Sequence, residues 1–310
     1  MKTVAVVNPH AAGGRTGRAL GRITRALARV SDTLEVVTTR GRGDATRLTS
    51  NALHAGARRI VAVGGDGTVG EVVNGFFHQR VALQPSAELA VLELGTGGDY
   101  RRSLGSATNI EVAVARMVSG TAVPVDVGIA HYEGPDGMQE RCFANIASLG
   151  MSADVAARVD SLPRLKRYAG PLAFAVGAAL SAVRQHTYRI VLTLDSGVAH
   201  TLEVALCAVC NGQYFGGGMH VAPMARLDDG RLDVIVVERA PRLVLLRSLR
   251  LLYTASHLGL PFVRHFRTSR VTIAVVAGGV PLPLELDGDS VGRSPVANFD
   301  VLPGALRLRR

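Results

Sequence analysis

The sequence predicts two domains of different class: a parallel α/β domain over residues 1–125, then an antiparallel, β-rich domain over 126–310. Three observations predict it. The chain has 310 residues, about twice a typical single domain. Up to Val125, apolar runs of strand length alternate with segments of helical period, the pattern of parallel strands covered by helices. Beyond Val125, strand-like runs follow one another between Gly, Pro and Asp turns, with few helices.

Taken in order, residues 4–7 are continuously apolar, as a strand buried on both faces is. Residues 16–30 place Leu20, Ile23, Leu27 and Val30 at helical spacing. A strand over 34–38 follows, then a helix from an Asp44 N-cap through Ala55. A strand over 60–63, a helix over 69–77, a strand over 89–94 and a helix over 109–118 complete the alternation. In the second domain 125–131, 141–146, 188–194, 202–209, 232–238, 271–276 and 297–301 read as strands, interrupted by helical stretches near 164–185 and 242–257.

Composition narrows the function. The formal charge is +10, and Lys2 and Lys166 are the only lysines, so the excess is arginine. With 47% hydrophobic and 19% charged residues, the chain is not disordered. Its 35 glycines have no three-residue period, which excludes collagen. Guanidinium forks suit phosphates and anionic surfaces. Nucleic acid ranks last among these, because aromatics are 5% and do not interleave with arginines as a base-stacking platform requires. The first ten residues lack a signal-peptide h-region. The longest apolar run, 171–183, is short of the ~20 residues that span a bilayer. Three cysteines fit a reducing, cytosolic compartment. Cys207 and Cys210 form a C-x-x-C inside a strand, where residues three apart face opposite ways, so they read as structural. His131, His220 and His257 show no ligand spacing and read as structural or surface residues.

Chemistry concentrates where strands end. At 61–74 an apolar strand runs into Gly64-Gly65-Asp66-Gly67-Thr68 and then a helix. Glycines admit close approach of a phosphate, and a helix N-terminus attracts one. Asp66 would repel phosphate, so its place there suggests Mg²⁺ or substrate positioning; the plainer alternative is an N-cap. The run is neither the dinucleotide fingerprint nor a Walker A loop. Asn8-Pro9-His10-Ala11-Ala12-Gly13-Gly14 follows the first strand and Gly95-Thr96-Gly97-Gly98-Asp99-Tyr100 the fourth. Loops at the carboxyl ends of parallel strands converge on one crevice.

These segments resemble the diacylglycerol kinase catalytic family, which includes bacterial lipid kinases and sphingosine kinases. The signature stands at 64–68, the Asn-Pro loop at 8–14 and a Gly-Thr-Gly-x-Asp block at 95–102. The second domain continues the likeness at 211–218, at 223–234 and in Asp287-Gly288-Asp289. The resemblance implies a Rossmann-like domain joined to a β-sandwich, and ATP-dependent phosphorylation of a lipid hydroxyl. It places ATP against Asn8, Pro9, His10, Ala11, Ala12, Gly13, Thr39, Gly64, Gly65, Asp66, Gly67, Thr68, Gly95 and Thr96. It gives Asp66 and Asp99 the organisation of Mg²⁺, and a further metal to Asp229 with the carbonyls of Arg226 and Arg231. Asp289 takes the role of base, with Asp287 beside it.

Three positions depart from the family pattern. Gly70 and Gly98 stand for asparagines, and Asp289 for a glutamate one methylene longer; a misplacement of about 1 Å can cost ~10²-fold in rate. An NAD kinase shares the 64–68 loop and is the alternative enzyme. An inactive nucleotide- or lipid-binding protein is the alternative from another class. Two segments suit an anionic membrane face: 162–183, with Arg158, Arg164, Lys166 and Arg167 at its start, and 242–252, where Arg242, Arg247 and Arg250 alternate with leucines. The expected partner is a lipid at such a surface, with peripheral association from the cytoplasm; packing on the β-rich domain is the competing role. The oligomeric state is open, a homodimer included.

Overall fold

The computed structural model describes residues 1–94, 97–105, 109–134, 137–153 and 186–310. The first half is a parallel sheet in the order Thr33–Thr38, Lys2–Val7, Arg59–Gly64, Glu88–Glu93. Chain order reverses between Lys2–Val7 and Arg59–Gly64, so the crevice of an open α/β sheet lies beyond their carboxyl ends. Alternate strand residues feed opposite faces. Val4, Val6 and Ile60 pack with Val69, Val72 and Val73; Ala5, Val7, Val61 and Val63 pack with Ile23, Leu27 and Val114.

The helices explain their own boundaries. The segment expected as one helix over 16–30 is two, Arg15–Arg18 and Leu20–Ala28. Ile23 and Leu27, one turn apart, are each 1% exposed, and burial of each contributes about 1.5–3 kcal/mol. Gly43 in a left-handed conformation, not Asp44, caps Asp44–His54; the Asp44 carboxylate accepts the Arg40 N–H at 2.8 Å instead. Asn109 caps Ile110–Ser119 by accepting the Glu111 and Val112 N–H groups, as an N-cap asparagine does. The helix expected from 69 begins at Asp66 and runs to Asn74, which places Asp66 in its first turn.

The second half is antiparallel, in the sandwich architecture the sequence suggests. Ala199–Cys210 is its hub: it pairs with Tyr188–Leu194 over its first part, and with Ile146–Gly150 and Leu232–Glu238 over its last. Arg270–Val275 joins Tyr188–Leu194 to Val296–Arg309. Cys207 and Cys210 do point to opposite sides, one into each of two apolar clusters. Both are fully buried, and burial pushes the Cys207 thiol up to about 12. The strand expected over 141–146 is the junction of two, Gly137–Phe143 and Ile146–Gly150. Val263–Thr268, Leu282–Leu286 and Asp289–Ser294 are further strands that alternation did not reveal. The helical stretch near 242–257 is three short pieces, Arg242–Ser248, Leu249–Tyr253 and Ser256–Gly259. The stretch 162–183 and its leading arginines lie outside the described residues.

No linker separates the halves. Ala122–Gly134, which contains the expected boundary, pairs antiparallel with Val296–Arg309. The end of that last strand adds parallel to Glu88–Glu93 through Arg307 and Leu308, so a single sheet runs through both halves. Asn74 fastens the helix of the first half to the second. Its side chain donates to the Gly70 and Cys142 carbonyls, both at 2.8 Å, and accepts the Cys142 N–H at 2.9 Å.

Candidate active site

The glycine-rich turns are tied together at the strand ends. Asn8 follows Lys2–Val7 directly; its amide donates to the Thr68 hydroxyl at 3.1 Å and accepts the His10 N–H at 3.0 Å. Thr39 hangs on the first strand through its N–H to the Val7 carbonyl, 2.9 Å. Gly64 has no room for a Cβ, because the Thr68 side chain occupies that place. The opening loop is left-handed at Ala12, Gly13 and Gly14.

Asp66 organises the next turn. Its carboxylate accepts the N–H groups of Gly98 at 3.0 Å, Asp99 at 2.8 Å and Tyr100 at 2.9 Å. It thereby caps the helix Asp99–Ser103, whose N-cap Gly98 is left-handed at φ +64°, a conformation that glycine adopts freely. Behind it, Glu93 is 2% exposed. Burial, then the Asp66 charge, holds Glu93 well above the usual carboxylate range. Its Oε2 accepts the Arg101 N–H at 3.1 Å, while its buried Oε1 has no partner. Burial and the Asp66 charge also raise Asp99, against the Gly217 N–H at 2.8 Å and Arg102 at 2.8 Å.

The second half contributes the turn between Leu282–Leu286 and Asp289–Ser294. Asp287 sits at φ +50° and is anchored inward, accepting the N–H groups of Ala144 (2.7 Å), Asn145 (2.9 Å) and Ile146 (3.1 Å). Burial pushes it up to about 6 in spite of those bonds. Asp289 faces the other half: Arg141 holds its Oδ2 at 2.7 Å. Its Oδ1 comes within 3.7 Å of where a Cβ on Gly67 would stand. The two aspartates of the turn thus do different things, one fastening it and one presenting a carboxylate. Gly70 makes room for the first, since a Cβ there would meet Asp287 Oδ2 at 3.0 Å.

A cleft of about 820 Å³ brings these parts together, well within the size of ligand sites. Of the positions expected from sequence, Asn8, His10, Ala11, Ala12, Gly13, Thr39, Gly65, Asp66, Gly67, Thr68, Asp99, Asp287 and Asp289 line it. Pro9 and Gly64 do not line it, while Gly95 and Thr96 lie outside the described residues. Ile146, Leu206, Phe215, Met219 and Leu252, members of one apolar cluster, line it too, with Met151 and Leu249. Arg226, Asp229 and Arg231 are not part of it. Asp229 accepts the Arg231 N–H at 3.0 Å and is paired with the Arg267 guanidinium. The Arg267 guanidinium thus holds one oxygen of that carboxylate and the Arg231 N–H the other.

Sequence reasoning passed over four participants. Glu93, Arg42, Arg141 and Glu285 all belong to the site or its immediate support. Glu285 takes the Ser148 hydroxyl at 3.1 Å and the Gly288 N–H at 3.1 Å. Only Glu93, an acidic residue closing an apolar strand, carried a visible signal.

Comparison with known proteins follows the same outline. Residues 2–130 match the diacylglycerol kinase catalytic domain, and residues 145–310 the YegS C-terminal NAD kinase beta sandwich-like domain. A Pseudomonas aeruginosa protein named "Probable lipid kinase YegS-like" is 31% identical over 308 residues, covering 99% of this chain and 93% of that protein. A "Diacylglycerol kinase" of Staphylococcus carnosus is 31% identical over 258 residues, 83% of this chain and 78% of that one. Two solved Bacillus anthracis structures, one named "a putative diacylglycerol kinase" and one "a diacylglycerol kinases", superpose with TM-scores of 0.77 and 0.70 at 25% and 23% identity, each covering 99% of this chain and 96% of that one. An NAD kinase from Archaeoglobus fulgidus, solved with ATP, shares the fold at TM-score 0.52 and 15% identity, covering 100% of this chain and 94% of that one.

Proposed function

The chain belongs to the diacylglycerol kinase catalytic-domain family of lipid kinases, and on that premise we propose that it transfers the γ-phosphate of ATP to a lipid hydroxyl. The observation that carries the proposal is the cleft itself: glycine turns and a cluster of apolar side chains line one cavity, with Asp289 beside Gly67. Phosphates and a lipid chain make these two opposite demands. The apolar cluster favours a lipid over NAD as acceptor.

The roles follow from position. Gly65, Asp66 and Gly67 are the cap and first residues of the Asp66–Asn74 helix and line the cleft, where a helix N-terminus favours phosphate. Asp289, oriented by Arg141, takes the proton as the lipid oxygen bonds to the γ-phosphorus and the bond to the ADP oxygen breaks. A carboxylate suffices, since a loose phosphoryl-transfer transition state needs positioning and charge neutralisation above all. Among the described residues no three acidic, His or Cys side chains form a metal cluster of their own. Asp66 and Asp99, the two aspartates among the glycine turns that line the cleft, would hold Mg²⁺ together with nucleotide phosphates, the usual way it is held. Bound there, the ion supplies charge neutralisation on the phosphates. The three N–H groups keep the Asp66 carboxylate in place.

Access from a membrane fits the surface beside the apolar cluster. Leu243, Val244, Leu246 and Tyr253 are exposed hydrophobics, interleaved with the exposed Arg242, Arg247 and Arg250. Leu249 and Leu252 of the same segment line the cleft. Apolar side chains with flanking arginines suit peripheral contact with an anionic bilayer. Among the described residues no helix is long and apolar enough to cross a membrane.

The test is incubation with γ-labelled ATP and vesicles of mixed glycerolipids and sphingoid bases, with NAD in a parallel reaction. Label in lipid, absent with Asp66→Ala, supports the proposal; label in NAD alone supports the other kinase.

A further inference from the structure

We propose that Arg42 is the side chain that meets the terminal phosphate of the nucleotide, moving there from the start of the Asp289–Ser294 strand, whose Ser290 carbonyl it holds in this structure. The inference rests on the kinase reading of the cleft.

Charge gives the first reason. Among the described residues lining the cleft, Arg42 is the one arginine or lysine, against six carboxylates. A triphosphate entering that lining needs cationic help, and a guanidinium fork provides it bidentately. Arg102 and Arg141 stand nearby, but each is already hydrogen-bonded to a carboxylate, at 2.8 and 2.7 Å.

Freedom to move gives the second. The loop backbone around Arg42 is pinned: the Gly43 and Ala45 N–H groups bond both oxygens of Glu71, at 2.8 and 3.0 Å. The Arg42 side chain is 58% exposed, and its Nη2 holds the Ser290 carbonyl at 2.9 Å and lies 3.7 Å from Asp289 Oδ1. An exposed pair at that distance is weak, whereas a guanidinium on phosphate forms strong, charge-assisted bonds. Nucleotide binding thus draws Arg42 across the cleft from a fixed base.

The exchange has a consequence for chemistry. Asp289 loses one of its two cationic neighbours once ATP is in place, and keeps Arg141 to orient it. Its Oδ1 then accepts the lipid hydroxyl proton while Arg42 stabilises charge on the transferring phosphoryl group; Arg42 exchanges no proton itself.

The full-length chain with Arg42→Gln tests this, since glutamine can still donate to the Ser290 carbonyl while lacking the charge. Calorimetric affinities for Mg-ATP and Mg-ADP are measured beside steady-state kinetics on diacylglycerol vesicles. Wild type is expected to prefer ATP over ADP. Arg42→Gln should lose about tenfold in ATP affinity with ADP nearly unchanged, lower kcat about 10²-fold, and melt with the wild type. Arg42→Lys should recover part of the ATP preference. An Arg42→Gln protein that keeps the full ATP preference overturns the inference. If wild type phosphorylates no lipid, the kinase reading falls, while the ATP-against-ADP comparison still decides on Arg42.

Discussion

The carboxylate of Asp66 accepts the backbone N–H of Asp99 at 2.8 Å, so one glycine-rich motif caps the helix of another. Removing it takes away three backbone bonds at once. Asp66→Ala is expected to cost roughly 1–3 kcal/mol of stability, the usual penalty for part-buried donors left unsatisfied. It should also abolish phosphoryl transfer. Chemical denaturation and the labelled-ATP assay check the two effects separately.

Asp289 carries the proposed base role with a side chain one methylene shorter than the family's glutamate. Asp289→Asn should lower kcat by about 10²-fold or more, the usual contribution of a general base, with little change in ATP affinity. Asp289→Glu should stay within about tenfold of wild type. Equal activity of all three proteins would remove Asp289 from the chemistry.

Asp287 predicts a pH signature in stability. Burial raises it to about 6 in the folded chain from an ordinary 3.8, so protonation favours the fold. Its contribution is complete below about pH 4 and is lost as pH rises through about 6, worth roughly 3 kcal/mol at most. Asp287→Asn cannot titrate. The stability gap between wild type and this variant should therefore shrink as pH rises from 4.5 to 7.5, which urea titrations at each pH would reveal. A constant gap contradicts the assignment.

Asn74 bonds the Gly70 carbonyl and exchanges two bonds with Cys142 across the junction of the halves. Asn74→Ala should destabilise the chain by about 2–3 kcal/mol. Hydrogen exchange should show faster opening of Gly137–Phe143, the strand it holds.

The exposed patch predicts a separable membrane phenotype. Leu243→Glu with Leu246→Glu should weaken sedimentation with anionic vesicles. So should Arg247→Gln with Arg250→Gln. ATP affinity should be unchanged in both, since none of these four side chains lines the cleft. Undiminished sedimentation of both pairs would place the membrane contact elsewhere.

Much of this was legible in the sequence because it is local. The strand–glycine–helix turns at Asn8 and Gly64 announce themselves within a dozen residues, and the parallel sheet follows from alternating periods. Asp66 was legible as a site residue and, in the plainer reading, as a cap. It caps a helix, but the one that begins 33 residues later, not its own. Arg42, Arg141 and Asn74 were invisible for the same physical reason: their partners lie 248, 148 and 68 residues away. The two roles within Asp287-Gly288-Asp289 depend on which backbone N–H groups the turn meets, which spacing cannot show. The Asp229 position followed the family pattern in sequence; its contact with Arg267, 38 residues on, did not show there.

The central claim is transfer of phosphate to a lipid hydroxyl in this cleft. Its most direct test incubates the purified chain, Mg²⁺ and ATP with a native lipid extract and compares lipid masses before and after. A lipid class that gains one phosphate, and gains none with Asp289→Asn or Asp66→Ala, is the predicted result. ATP bound in the cleft with no lipid phosphorylated, across glycerolipids and sphingoid bases alike, would contradict it.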